Sequence, residues 1–364
     1  MNEIPVEIIG EEEMALIEAA LSYASNSLAS DHNSTAIVAP ASLSDVNCSS
    51  VPSTRIPEFN IEDFGKIGSA SRSLVDRFRR KRTLSVTDFT AVEWCEKQME
   101  FSLIHGKPEQ TEAMKTGSDR HTELEKEVMV RIDIPVKTQE DMWGIRFLNF
   151  IVGINQLLTE GMTREIMVIG SLEEDIWVIG VIDEIRMPMD GPLINPLLVD
   201  TKTRNKPTLP SEPQKRNARF QLMFYKFLWD NIIGENFSSE QFFIHFDLDP
   251  KRKLSEDVKK FGNSLGFQHN TLEDVVVQFQ EVCNMLPRSK EHLLLRYEFQ
   301  GDRSGLGEFM FLHDHVWFMG QVRKALDFWL GIRRGNCVSW NEKWKCNFCK
   351  FNNCSQAIKP NTEE

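Results

Sequence analysis

Three of the seven cysteines in this 364-residue chain close it as Cys346-x2-Cys349-x4-Cys354. Unrelated thiols rarely crowd so closely, so the tail is shaped to hold a metal centre. Tetrahedral thiolate centres take four ligands, and by ligand type such a set suits Zn²⁺ or an iron–sulfur cluster equally well. A fourth ligand must therefore reach the tail from elsewhere, and any fold has to deliver it there. Trp344 and Phe348 interleave the cysteines and could screen sulfur from water.

The cysteine count is odd and no secretory signal precedes it, which argues against a disulfide framework and for a reducing, intracellular compartment. The first twenty residues are rich in Glu, whereas organelle transit peptides are rich in Arg and Ser and poor in acids, so this N-terminus does not read as an import signal. Hydrophobic content of 41% and charged content of 26% match a globular protein with a real core. No apolar run reaches the ~18 residues that would span a bilayer, so no membrane role is expected. The net charge of −12 argues against wholesale phosphate binding. Yet the cations are clustered, in Arg77-Phe78-Arg79-Arg80-Lys81-Arg82, Lys251-Arg252-Lys253 and Arg333-Arg334. Each block reads either as a solvated charged face or localisation signal or as part of a binding wall.

After an acidic helical stretch at 11–21, residues 22–54 are rich in Ser, Ala, Asn and Pro without apolar periodicity, and read as a mobile leader. The expected division is a leader over 1–55 and one domain over 56–364. Ser85 or Asp88 can cap a helix carrying Trp94, Cys95 and Met99. Residues 117–130 place His121, Leu124, Glu125 and Val128 on one helical face. Residues 165–170 and 176–187 are Ile- and Val-rich and predict a β-hairpin, with a third strand over 196–203. Residues 213–233 return to helical spacing, and from Ser239 onward the pattern reads as mostly helical.

The strands carry the chemistry. Asp183 ends one apolar run and Asp200 another, and a carboxylate at the end of a buried strand is costly unless paired or bound to metal. Alternation sends Asp200 and Lys202 to one side of the sheet and Thr201 to the other. Two acids and a lysine meeting at strand ends can hold Mg²⁺ and polarise a phosphate. An isolated Asp-x-Lys is common in unrelated chains and reads first as a structural ion pair.

An ordered set surrounds it: Gly117-x3-His121-x3-Glu125, Gly180-Val-Ile-Asp183-Glu184, Asp200-Thr-Lys202-Thr-Arg204 and Gln221-x3-Tyr225. This succession resembles RecB-type nucleases of the PD-(D/E)XK superfamily. With residues 85–96 before it and the cysteine tail after, the stretch 56–355 is similar to the eukaryotic exonuclease V family. The resemblance implies an α/β, restriction-endonuclease-like core, a small mixed sheet flanked by helices, with a helical insertion and a C-terminal iron–sulfur segment. It implies that His121, Asp183 and Asp200 bind Mg²⁺ (or Mn²⁺), that Asp183, Asp200 and Lys202 are catalytic, and that Gln221 and Tyr225 position DNA. His121 and Tyr225 have bland readings as core side chains, Glu125 and Glu184 read as salt-bridged, and Glu165 is not assigned a role. The family often has Glu where this chain has Asp200, which keeps the charge and shortens the reach by one methylene.

For the cysteines the resemblance implies a [4Fe-4S] cluster on Cys95, Cys346, Cys349 and Cys354, a structural staple from one end of the domain to the other. Cys337 is the rival fourth ligand; Cys48 and Cys283 read as bystanders. The implied function is Mg²⁺-dependent hydrolysis of single-stranded DNA from its ends, releasing short oligonucleotides in repair or genome maintenance. Expected with it are a monomer, single-stranded DNA and a single-strand-binding protein as partners, and a plastid or mitochondrial location with the nucleus as alternative. The competing functions are a catalytically inactive nucleic-acid clamp and a zinc-binding interaction protein.

Overall fold

The computed structural model describes residues 33–38, 73–106, 112–126, 130–187, 195–234, 236–351 and 354. In chain order the elements are β1 (Asn33–Val38), α1 (Leu74–Phe78), β2 (Thr83–Ser85), α2 (Val86–Trp94), α3 (Glu96–His105), α4 (Glu112–Lys126) and β3 (Val130–Pro135). They continue with α5 (Gln139–Glu160), β4 (Met162–Ser171), β5 (Trp177–Arg186), β6 (Leu197–Arg204), α6 (Glu212–Ile233), α7 (Ser239–Phe246), α8 (Glu256–Ser264) and α9 (Leu272–Asn284). The chain ends with β7 (His292–Phe299), β8 (Gly305–Leu312), α10 (His315–Trp329) and a 3₁₀ segment, Trp340–Phe348.

A mixed six-stranded sheet forms the centre, in the order β2-β5-β6-β7-β8 with β4 paired to β5. The strands β4 and β5 form the antiparallel hairpin that the Ile/Val runs predict, and β6 joins antiparallel to the end of β5. The strand β7 lies parallel to β6, and β8 returns antiparallel beside it. Helices flank this sheet. The long helix α5 starts at a Thr138 cap and stops at Gly161, whose φ of 77° suits the left-handed turn. It shares with α6, α7 and α9 an aromatic core of Trp143, Phe147, Phe150, Phe242, Phe279 and Trp229, each fully buried or nearly so. The helices α7 to α9 lie between α6 and β7. Among the described residues no helix is long and apolar enough to cross a membrane.

Four expectations differ from the fold. The mostly helical reading after Ser239 misses β7 and β8, because β7 is stabilised by β6, far upstream, and not by local spacing. The leader reading over 22–54 misses Asn33–Val38, which pairs antiparallel with β3; the remainder of that segment, the 11–21 stretch and Cys48 lie outside the described residues. The capped helix after Ser85 is two helices. Ser85 and Asp88 form a reciprocal capping box, but Cys95 takes an extended φ of −164°, ending α2 and capping α3 through its sulfur. The helix expected over 117–130 runs over Glu112–Lys126, and Val130 already belongs to β3.

Candidate active site and cysteine lobe

The strand β5 has two edges and three partners. Along one edge β4 follows it nearly throughout. Along the other, β2 pairs with Trp177 to Ile179 and β6 pairs with Glu184 to Arg186. Residues 180–183 lie between these ladders, where the sheet forks. Continuing the β5/β6 register by one residue sets Asp183 opposite Asp200, and the β4/β5 register sets Glu165 opposite Asp183. Cross-strand neighbours face the same side, so Glu165, Asp183 and Asp200 make one row of carboxylates at the fork. The row one step on, Arg164 and Glu184, faces away and is ion-paired at 2.5 Å, with Arg186 on the same carboxylate.

Helices complete the site. From α4, His121 brings Nδ1 to 3.8 Å from Asp183 Oδ2. Burial, with the Lys202 charge adding to it, pushes the imidazole down to about 4, so at neutral pH it is uncharged and able to bind a metal. One ligand atom each from His121, Glu165 and Asp183 fall within 4.8 Å of one another. Asp200 is fully buried. Burial first, and then Asp183, raise its carboxyl to about 7, against the opposing pull of Lys202. Lys202 Nζ pairs with Asp200 Oδ1 at 3.0 Å, and Asp183 Oδ2 is buried beside them. One imidazole and a row of carboxylates is a donor set that a hard divalent cation takes. The residues therefore fit a divalent metal.

From α6, Gln221 accepts a hydrogen bond from Lys202 at 3.0 Å and donates to Tyr225 Oη at 2.8 Å. Burial is the largest single influence on Lys202 and would lower the ammonium, but Asp200 and Asp183 together hold it above its ordinary value. The Tyr225 phenol is pushed well up by burial and then by the two aspartates, and keeps its proton. Its ring lies against β5 at Gly180, where a Cβ would come within 2.8 Å of both Tyr225 Cε1 and Val86 Cγ2. That close approach accounts for the glycine three residues before Asp183.

The fold thus brings His121, Asp183, Asp200, Lys202, Gln221 and Tyr225 to one place. It adds Glu165, whose φ of 53° is left-handed, a strained conformation for a side chain of this type. Thr201, like Asp200, is buried. The side chain of Glu125 lies outside the described set.

Cys95, Cys337, Cys346, Cys349 and Cys354 line a second cavity, with Phe101 and Phe351 beside them. Burial pushes the Cys95 thiol up to about 11. The tail is anchored by Lys345, 2% exposed, which donates to Trp94 O at 3.1 Å, pairs with Glu342 at 2.6 Å and lies over the Trp94 ring. Trp344 meets Trp94 edge-on, and Phe351 stacks on Phe101. Cys283 is buried in the core, apart from this lobe. No three of the described sulfurs approach within 4.8 Å of one another, whereas Zn–S bonds of about 2.3 Å would draw four sulfurs to ~3.8 Å.

Lys251, Arg252 and Lys253 are exposed, whereas three cations of the other blocks pair within the fold. Arg79 pairs with Asp88 at 2.5 Å and stacks on Trp329, Arg82 pairs with Asp76, and Arg333 grips Glu96. The segment that links the two sites is α6. Its Arg216 reaches Glu93 at 2.6 Å and Glu342 at 2.8 Å.

Comparison with known proteins accords with this arrangement. The chain is 29% identical to exonuclease V of Danio rerio over 287 residues, 77% of this chain and 71% of the relative. The crystal structure of SSO0001 superposes with a TM-score of 0.37 at 11% identity, over 79% of this chain and 96% of that one, too loosely for any argument about fold. The family model of exonuclease V, a 5′ deoxyribonuclease, matches residues 73–195, 193–274 and 262–356. Those stretches take in the forked sheet, the helices α7 to α9 and the cysteine lobe alike, and the chain belongs to the exonuclease V family of 5′ deoxyribonucleases.

Proposed function

We propose that this protein is a Mg²⁺-dependent exonuclease acting on single-stranded DNA in genome maintenance, and that its forked sheet is a PD-(D/E)XK core. The observation that carries this reading is the meeting of His121, Glu165 and Asp183 within 4.8 Å beside the buried Asp200–Lys202 pair. Asp183 and Asp200, with His121 and Glu165, would hold the metal. Bound there, Mg²⁺ supplies Lewis-acid stabilisation of the phosphate and acidifies water. Lys202 offers a fixed positive charge to the phosphoryl oxygens, and Gln221 holds that ammonium in place. Tyr225, protonated and within the same hydrogen-bonded chain, presents an O–H to the strand.

The cysteine lobe we read as the seat of a structural [4Fe-4S] cluster. The gathering of Cys95, Cys346, Cys349 and Cys354 in one cavity, in a chain of the exonuclease V family, supports this reading.

Digestion of end-labelled single-stranded and duplex DNA with Mg²⁺ tests the activity, comparing anaerobically purified protein with Asp200→Ala. Release of label from single strands by the wild type, and a loss of at least about a thousandfold in the variant, is expected. A variant as active as the wild type would refute the assignment, and no cleavage by intact wild type would favour a clamp.

A further inference from the structure

A four-thiolate centre needs four cysteines, and the lobe holds five. Two of them are in contact: Cys337 Sγ and Cys354 Sγ are 4.0 Å apart. No third sulfur comes within 4.8 Å of both. Two sulfurs in such contact could each serve a single corner of a centre.

The two reach that corner by different routes. Cys337 is delivered by the body of the fold. Its neighbour Asn336 donates its N–H to Glu96 Oε2 at 2.7 Å and accepts from Lys97 N–H at 3.3 Å. Arg333 closes on the same Glu96 at 2.6 Å. A side chain at Gly335 would press to 3.0 Å from Glu100 and 3.1 Å from Phe328, so the segment lies tight on α3, directly after Cys95. Cys354 comes from the tail, beyond the 3₁₀ segment, and depends on the anchorage of Lys345 and Phe351.

We propose that Cys337 and Cys354 share the fourth ligand position of the cluster, either one completing it with Cys95, Cys346 and Cys349. The proposal rests on the cluster reading given above. Exchange is a ligand substitution at one iron. One Fe–S(Cys) bond forms as the other breaks, the proton of the incoming thiol passes to the outgoing thiolate, and no electron is gained or lost. A displaced tail end thereby leaves a complete ligand set behind.

The test is iron and acid-labile sulfide per chain in anaerobically purified wild type, Cys337→Ser, Cys354→Ser, the double variant and Cys346→Ser. Both single variants of the pair are expected to retain the wild-type content, and the double variant and Cys346→Ser to lose nearly all of it. A Cys354→Ser or Cys337→Ser protein as empty as Cys346→Ser would overturn sharing, as would a double variant that stays full. Should the emptied variants fail to fold, the unmutated holoprotein decides. It is alkylated anaerobically, stripped of its cluster in acid, alkylated again with a heavy reagent and mapped by mass spectrometry. The first label should divide between Cys337 and Cys354 and sum to one per chain, whereas a first label confined to either cysteine contradicts the proposal. Wild type that carries zinc and no labile sulfide would instead remove the cluster reading itself.

Discussion

At the scale of the residue, Asp200 decides how the site responds to pH. Its folded-state pKa of about 7 lies above the ordinary 3.8. Protonation therefore favours the metal-free fold: the stabilising contribution is complete below the unfolded value and is lost as pH rises through about 7. A divalent metal binds the ionised form, so below that pH it must displace a proton. The rise in melting midpoint produced by Mg²⁺ should accordingly be larger at about pH 8 than at about pH 6, and absent in Asp200→Asn. Equal rises at both values in the wild type would contradict a buried proton at Asp200. Glu165 offers a different test, because its left-handed backbone costs about 1–2 kcal/mol in an L-residue. Glycine relieves that strain and loosens the unfolded chain by about 0.5–1 kcal/mol. Glu165→Gly should melt no lower than wild type in calorimetry, while cleavage falls at least about a hundredfold; a joint loss of stability and activity would make Glu165 structural. His121, Asp183, Asp200, Lys202, Gln221 and Tyr225 could all be read from the chain because each belongs to a spaced motif. Glu165 could not, since it meets Asp183 only through hairpin register and a sign of φ that no spacing records.

At the scale of the element, β5 carries the design. The hairpin, β6 and α6 were legible because apolar runs of period two and then of period 3.6 define them locally. The hairpin of β7 and β8 was not, although Leu293, Leu294 and Leu295 are buried, because a parallel neighbour across a run of helices leaves no local mark. The break at Cys95 escaped notice for a related reason: Glu96 and the residues after it favour helix, and only the extended cap separates α3 from α2. Gly180 ties β5 to α6. In Gly180→Ala the added methyl meets the Tyr225 ring and Val86 at 2.8 Å, and overpacking of this kind costs about 1–3 kcal/mol. Urea denaturation should register that loss, and Tyr225 should be displaced enough to slow turnover. Wild-type stability and rate together would mean that the contact is soft.

At the scale of the whole molecule, the cysteine lobe is built from both ends of the described fold, and Arg216 couples it to the helix that carries Gln221 and Tyr225. Glu93 and Glu342 hold the Arg216 guanidinium above its ordinary value against the opposing effect of burial, which is the largest single influence. Because Arg216 is one-third exposed, the loss in Arg216→Ala should be modest, about 1–2 kcal/mol. Its sharper signature should be faster iron release to a chelator, followed by absorbance; unchanged release would mean that the lobe holds itself together. The spacing of Cys346, Cys349 and Cys354 announced a metal lobe, but it could not announce Lys345, whose burial depends on the Trp94 carbonyl at the far end of the domain. That seam has a consequence for synthesis. A chain leaving the ribosome N-terminus first presents Trp94 and Cys95 early and must hold them without their partners until Lys345 and the cysteines beside it emerge. Assembly of the lobe therefore waits until the strands of the sheet have been made, and a product cut short before Lys345, however well its sheet has formed, would lack this seam.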